Sequence, residues 1–294
     1  MTDSIFYLIV FFLPIFLSIC FSQTSKNKNI FKERTPSNNK NTGHLVGGWA
    51  LMLTLFLCYS FFENLPGETQ NLLSAPLFFS SFFFLGLVDD VRGMGAAQKL
   101  LYQTSILLIC ISGLTADFSE IFVLLFFGLT LINGFNFIDG INGLLPMLCS
   151  VLFFQIKGGT LLSVMVLGFF CVSRRNKKIY LGDSGSLLLG SIAFWTVAGN
   201  SSNLNFLTTD PKSIFLFFLI PIADVFWATI RRCTFRPGEK KTLSSFFTKI
   251  SNPDERHIHH LLKRNYGERT TIILLALTTW AATEFSIFLN STTF

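Results

Sequence analysis

Charge is scarce in this chain. Asp, Glu, Lys and Arg make up 14% of the 294 residues, against about a quarter in an ordinary soluble domain. That shortage excludes a soluble globular domain. The 50% hydrophobic content and the 36 Phe residues point to the membrane class instead. Paired cysteines are lacking as well. Cys20, Cys58, Cys110, Cys149, Cys171 and Cys233 include no CxxC, and the first five lie within or at the ends of apolar runs. There Cys acts as a small apolar filler, which argues against a disulfide or metal role. The first residues, MTDSIFYLIVFFLPIFLSICF, lack a basic stretch and a small-x-small cleavage site, so they read as a retained span rather than a leader. No inverted repeat and no low-complexity domain is visible.

What is present is a series of long apolar runs. A helix needs about 20 mainly apolar residues to cross the hydrocarbon core. Ten segments qualify: 4–22, 45–62, 72–88, 99–115, 119–137, 143–156, 159–173, 184–200, 212–230 and 270–290. The sixth and seventh are short and share the tight Lys157-Gly158-Gly159 connection. With ten spans, all of the 23 Lys and Arg residues except Lys157 and Lys212 fall on one face. The excess of cations on cytoplasmic loops makes that face cytoplasmic and both termini extracytoplasmic. The expected fold is therefore an all-α integral membrane bundle of about ten helices. It forms one domain over 1–294, with cytoplasmic loops at about 23–44 and 231–269 and its active site on the cytoplasmic face.

Polar residues gather at the cytoplasmic ends of these spans. Gly86-Leu87-Val88-Asp89-Asp90 ends the third. Asn133, Asn136, Asp139 and Gly140 end the fifth, and Gly182-Asp183-Ser184-Gly185 opens the eighth. His257, His259 and His260 lie in the loop after the ninth, which itself carries Asp224. A carboxylate at a boundary can be a simple helix cap, and Asp183 before Ser184-Gly185 suits that role. Asp224 is different: an intramembrane charge costs about 2.5–3.5 kcal/mol on insertion scales, so it needs a partner or a function. Asn133, Asn136 and Asp139 are three apart and can face one cavity. Asp89 and Asp90 are about 100° apart on a helix, so different roles are expected for them. Carboxylates and amides without Cys make a hard-oxygen site, suited to Mg²⁺ or Mn²⁺ rather than Zn²⁺. Beside it, Arg256 and the three histidines suit a phosphorylated substrate, most simply a diphosphate.

At these residues the chain resembles the polyprenyl-phosphate N-acetylhexosamine-1-phosphate transferases of bacteria, in the WecA/TagO branch of the family that includes MraY. The matching elements, in the family's order, are GLVDD (86–90), NGFNFIDGINGL (133–144), LGDSGSLLLG (181–190), PIADVFWATIRR (221–232) and PDERHIHHLLKR (253–264). Arg34-Thr-Pro36 followed by Val46-Gly47-Gly48 resembles the family's first loop. Gly93 stands where a third acidic residue often follows the Asp pair, His44 where a Pro often precedes the glycines, and Asn142 where a second Asp is frequent.

The resemblance implies transfer of a UDP-N-acetylhexosamine's sugar 1-phosphate to a membrane-bound polyprenyl phosphate, undecaprenyl phosphate in most bacteria. The products are polyprenyl-diphospho-sugar and UMP, starting a surface glycan such as O-antigen or teichoic acid. It implies a Mg²⁺ or Mn²⁺ cofactor, a multi-pass location in the bacterial inner membrane, no nucleic-acid partner, and compatibility with a homodimer. By motif match Asp89, Asp90 and Asp183 are catalytic, with Asp183, Asp89 and Asp139 as metal ligands. Either Asp89 or Asp90 would orient or deprotonate the carrier phosphate. Arg34, Asn133, Asn136, Asp139, Arg256, His257, His259 and His260 would bind substrate. The rival class is a transporter or channel with Asp224 as an ion-coupling residue.

Overall fold

The computed structural model describes residues 2–28, 33–34, 43–58, 74–115, 117–198, 211–233 and 257–292. Its elements in chain order are α1 (Thr2–Lys28), β1 (Glu33–Arg34), β2 (Gly43–Leu45), α2 (Gly47–Cys58), α3 (Ser74–Arg92), α4 (Ala96–Ser112), α5 (Phe118–Ile138) and α6 (Leu144–Gln155). Then follow α7 (Thr160–Arg175), β3 (Ile179–Tyr180), α8 (Gly182–Ala198), α9 (Pro211–Phe217), α10 (Leu219–Cys233), α11 (Ile258–Tyr266) and α12 (Glu268–Thr292).

The apolar runs become helices that pack around α8. Every residue of α8 except Asp183 is buried, as befits a helix that is apolar on all sides. It packs against α2, α3 and α5, while α7 packs against α1 and α6. Gly86 lets α3 touch α8 backbone to backbone: a Cβ there would run into the Asp183 carbonyl and the Ser184 Cα. A cluster of aromatic side chains fills the α3–α8 seam, with Phe78 lying 5.1 Å from Phe82 and 5.6 Å from Trp195, ring centre to ring centre. The outer surface is apolar too, with Phe16, Phe118, Phe122 and Ile109 all well exposed. Among the described residues, three stretches are long and apolar enough to cross a bilayer by length and composition: Ser4–Ser25, Phe118–Ile138 and Glu268–Ser291. A surface of this kind belongs against lipid.

Three features differ from the sequence reading. The segment 212–230, expected as one span, is two helices divided at Phe218. Pro221 follows at the start of α10 and has no N–H to give to the preceding turn, which accounts for the interruption. The loop after it holds an additional helix, α11, with one charged and one apolar face. Finally, the bundle is not wholly α. A small sheet runs in the order β1-β2-β3, with β1 antiparallel to β2 and β2 parallel to β3 in the register His44 to Ile179 and Leu45 to Tyr180. Strands of two or three residues are too short to leave an alternating pattern in the sequence.

Candidate active site

The site is built at the ends of α3, α4, α5 and α8, with α10 and α11 on its far side. α8 begins with backbone N–H groups that have no partner within the helix. Asp90 supplies one from α3: its Oδ1 accepts from Asp183 N at 2.8 Å and its Oδ2 from Ser184 N at 3.0 Å. Both carboxylate oxygens are thus spent on capping a neighbouring helix, where negative charge is also favoured by the helix dipole. Asp89, the next residue back, points elsewhere. Its Oδ1 accepts from Met94 N at 2.7 Å and its Oδ2 lies 2.7 Å from Lys99 Nζ.

Lys99 is the residue that sequence reasoning missed. In the sequence it is one more cation of the basic face. Its ammonium, on the first turn of α4, also lies 2.7 Å from Asp183 Oδ2, so one cation joins the carboxylates of α3 and α8. The available signal was its position: a cation at a helix N-terminus opposes the dipole and calls for acidic partners.

One turn deeper on α4, fully buried Gln103 accepts from Asn133 Nδ2 of α5 at 2.8 Å. Asn133 Nδ2 also donates to Leu129 O. Asn136, one turn on, accepts from Ser186 Oγ of α8 at 2.7 Å. These bonds tie α4, α5 and α8 together around the Asp89–Lys99–Asp183 group. Asn133 therefore works between helices rather than on an open surface.

The histidines form the other wall. Asp224, buried in α10, accepts from Ile258 N at 2.8 Å and pairs with His257 Nδ1 at 2.8 Å. These are the partners of the Asp224 carboxylate. Its two oxygens fix the first turn of α11, leaving it no role that calls for ion coupling. His259 is 2% exposed, with neither ring nitrogen hydrogen-bonded, and its ring centre lies 4.2 Å from that of His260. Both face Gly140, where any Cβ would strike the two Nε2 atoms, so the DG step after α5 must be glycine for the imidazoles to approach. The end of α5 spans the two walls: Asn136 reaches α8, Phe137 lies 5.1 Å from His257 between ring centres, and Asp139 is the C-cap.

Residues 72–199 match the family described as glycosyl transferase family 4. That match covers less than half of the chain. The chain is similar to the undecaprenyl-phosphate alpha-N-acetylglucosaminyl 1-phosphate transferase of Thermotoga maritima, 28% identical over 279 residues, covering 91% of this chain and 83% of that protein. It is 29% identical to the probable undecaprenyl-phosphate N-acetylglucosaminyl 1-phosphate transferase of Bacillus subtilis, covering 71% of this chain and 63% of that protein. To the decaprenyl-phosphate N-acetylglucosaminephosphotransferase of Mycobacterium leprae it is 27% identical, covering 79% of this chain and 69% of that protein.

Electrostatics separate the carboxylates of this site. Burial pushes Asp183 up to about 6, with the Lys99 ammonium pulling against it. Burial also raises Asp89, but its bonds to Asp183 and Lys99 outweigh that and hold it below the usual carboxylate range. Burial raises Asp90. Burial lowers His259 to about 3, despite nearby Asp224, so its imidazole stays neutral.

A divalent cation fits this donor set. Asp89 and Asp183 already converge on one positive charge, and both offer hard oxygen. Among the described residues, no three His, Cys, Asp or Glu side chains are arranged to hold one metal ion. Two carboxylates suffice for Mg²⁺, which draws its other ligands from water and substrate phosphates. Of the remaining expected residues, Arg34 sits on β1 in register with Gly43, and Arg256 lies outside the described residues.

Proposed function

We propose that this chain transfers the N-acetylhexosamine 1-phosphate of a UDP-sugar, UDP-N-acetylglucosamine in the first instance, to a polyprenyl phosphate such as undecaprenyl phosphate. The products are polyprenyl-diphospho-sugar and UMP, and the reaction opens synthesis of a cell-surface glycan. The observation that carries the reading is the end of α5, which abuts both the Asp89–Lys99–Asp183 group and the histidine group. The names of the relatives support the same reaction.

The reading includes a ten-span bundle with this site at the cytoplasmic surface and both termini outside, supported by the distribution of Lys and Arg. An oxygen of the carrier phosphate attacks the β-phosphorus in line. The bond from that phosphorus to the bridging oxygen breaks, and UMP leaves with the bridging oxygen. Such a displacement needs positioning and charge neutralisation more than covalent help. Asp89 and Asp183 would hold Mg²⁺ or Mn²⁺, which would supply charge neutralisation to the diphosphate. Lys99 neutralises the carrier phosphate or the transferring phosphoryl oxygens. His260, on the face of the His259 ring, hydrogen-bonds the diphosphate or sugar, and Asp90 acts at one remove by holding the start of α8. The transporter reading loses its one residue, because Asp224 is engaged by His257 and Ile258.

Purified protein with undecaprenyl phosphate, Mg²⁺ and a panel of UDP-sugars tests this. UMP release with UDP-N-acetylglucosamine or another UDP-N-acetylhexosamine is expected. A folded protein that releases none from any of them overturns it.

A further inference from the structure

A cavity of about 330 Å³ opens between the end of α7 and the start of α12. Arg174, Lys177, Tyr266, Glu268, Arg269 and Thr270 line it, and the transfer reaction proposed above assigns no role to these side chains. Among the described residues that line it, Glu268 alone is acidic. That carboxylate is already engaged by Arg174 and, at 3.6 Å, by Lys263. Lys177 and Arg269 therefore add positive charge that the lining does not balance. α12 contributes as well: its first intrahelical bond runs from Thr271 N to Gly267 O, so the N–H groups of the preceding residues have no partner within the helix and face an anion favourably.

The position narrows the ligand. α7 enters its apolar stretch from Arg174 and Arg175, and α12 is one of the helices long enough to cross a bilayer. In the ten-span arrangement proposed above, the cavity sits where α7 and α12 reach the interface, on the basic face. Tyr266 lies exposed at its edge, in the position aromatic residues favour at a headgroup layer. Basic pockets between membrane helices on the cytoplasmic side suit anionic headgroups. We propose that this cavity binds the phosphodiester headgroup of an anionic membrane phospholipid, through Lys177, Arg269 and the first turn of α12. Arg174 also donates to Asn142 O at 3.1 Å, so the bound headgroup adjoins the loop that carries Gly140 to the histidines.

The test is native mass spectrometry on the full chain in neutral detergent, titrated with phosphatidylglycerol and, separately, phosphatidylcholine. Wild type is expected to retain phosphatidylglycerol at a concentration at least fivefold lower than phosphatidylcholine. The double substitution Lys177→Gln, Arg269→Gln is expected to erase that preference while leaving the melting temperature unchanged, both side chains being exposed. Each single substitution should give a partial loss. Equal retention of the two lipids by wild type overturns the proposal, as does an undiminished preference in the double variant. Excess inorganic phosphate or UMP that displaces phosphatidylglycerol completely would assign the cavity to a soluble anion and also overturn it. Failure of the transferase reading would leave this result untouched, since no turnover is measured.

Discussion

Lys99 Nζ lies 2.7 Å from Asp183 Oδ2, across 84 residues of chain. The same ammonium holds Asp89. Without it, two carboxylates from α3 and α8 would face each other across the site. Lys99→Met should lower UMP release about 10²-fold or more, the usual scale for removing a group that stabilises developing charge. Lys99→Arg should recover part of that. The same Lys99→Met change should raise Mn²⁺ affinity, measured by electron paramagnetic resonance titration, because it removes a competing cation. Unchanged turnover together with unchanged affinity would place Lys99 outside the chemistry.

The two adjacent aspartates should separate by experiment. Asp90 caps α8 through both oxygens, so Asp90→Ala should cost about 1–2 kcal/mol of stability, the upper range for a lost cap. Asp89→Asn should leave the melting temperature nearly unchanged and abolish most turnover. Thermal melting and initial rates on the two variants would decide it. An Asp89 variant that melts early and an Asp90 variant that melts normally would reverse the assignment.

Cation binding should depend on pH through Asp183. Its carboxyl is raised to about 6, and only the ionised form binds the cation. Below that value a proton occupies the oxygen, so Mn²⁺ affinity should fall as pH drops from 7 to 5 and level off as pH rises above about 7. Asp183→Asn should remove this step. His259, held near 3, should contribute no step in the same window.

Asp224 should matter for the placement of α11 rather than for transport. Asp224→Ala removes the partner of His257 and of Ile258 N. Amide exchange over residues 257–266 should then quicken, while liposomes containing either protein pass no ion current. Asp224→Asn, which keeps an acceptor for Ile258 N, should be milder. Exchange unchanged in Asp224→Ala would contradict the assigned role.

Much of this arrangement was legible in the sequence. The helices announced themselves as apolar runs, and the different directions of Asp89 and Asp90 followed from helical geometry alone. Asp224 stood out because charge inside a membrane needs a partner, yet His257 as that partner depended on how a 33-residue separation folds back. Lys99 was visible only as a cation among many, since its importance lies in two carboxylates that only packing brings to it. Gln103 was hidden because a neutral amide in an apolar helix carries no pattern. The split at Phe218 was within reach, Pro221 being the cause. The small sheet was not, because pairs of strand residues leave no periodicity.

The central claim is that the carboxylate wall and the histidine wall serve one diphosphate. The most direct measurement is the phosphorus hyperfine coupling of Mn²⁺ bound to the protein with UDP-N-acetylglucosamine present. The account predicts a clear coupling in wild type, lost in Asp183→Asn and weakened in His260→Ala. Bound Mn²⁺ with no phosphorus coupling, or a coupling that survives Asp183→Asn unchanged, would contradict it.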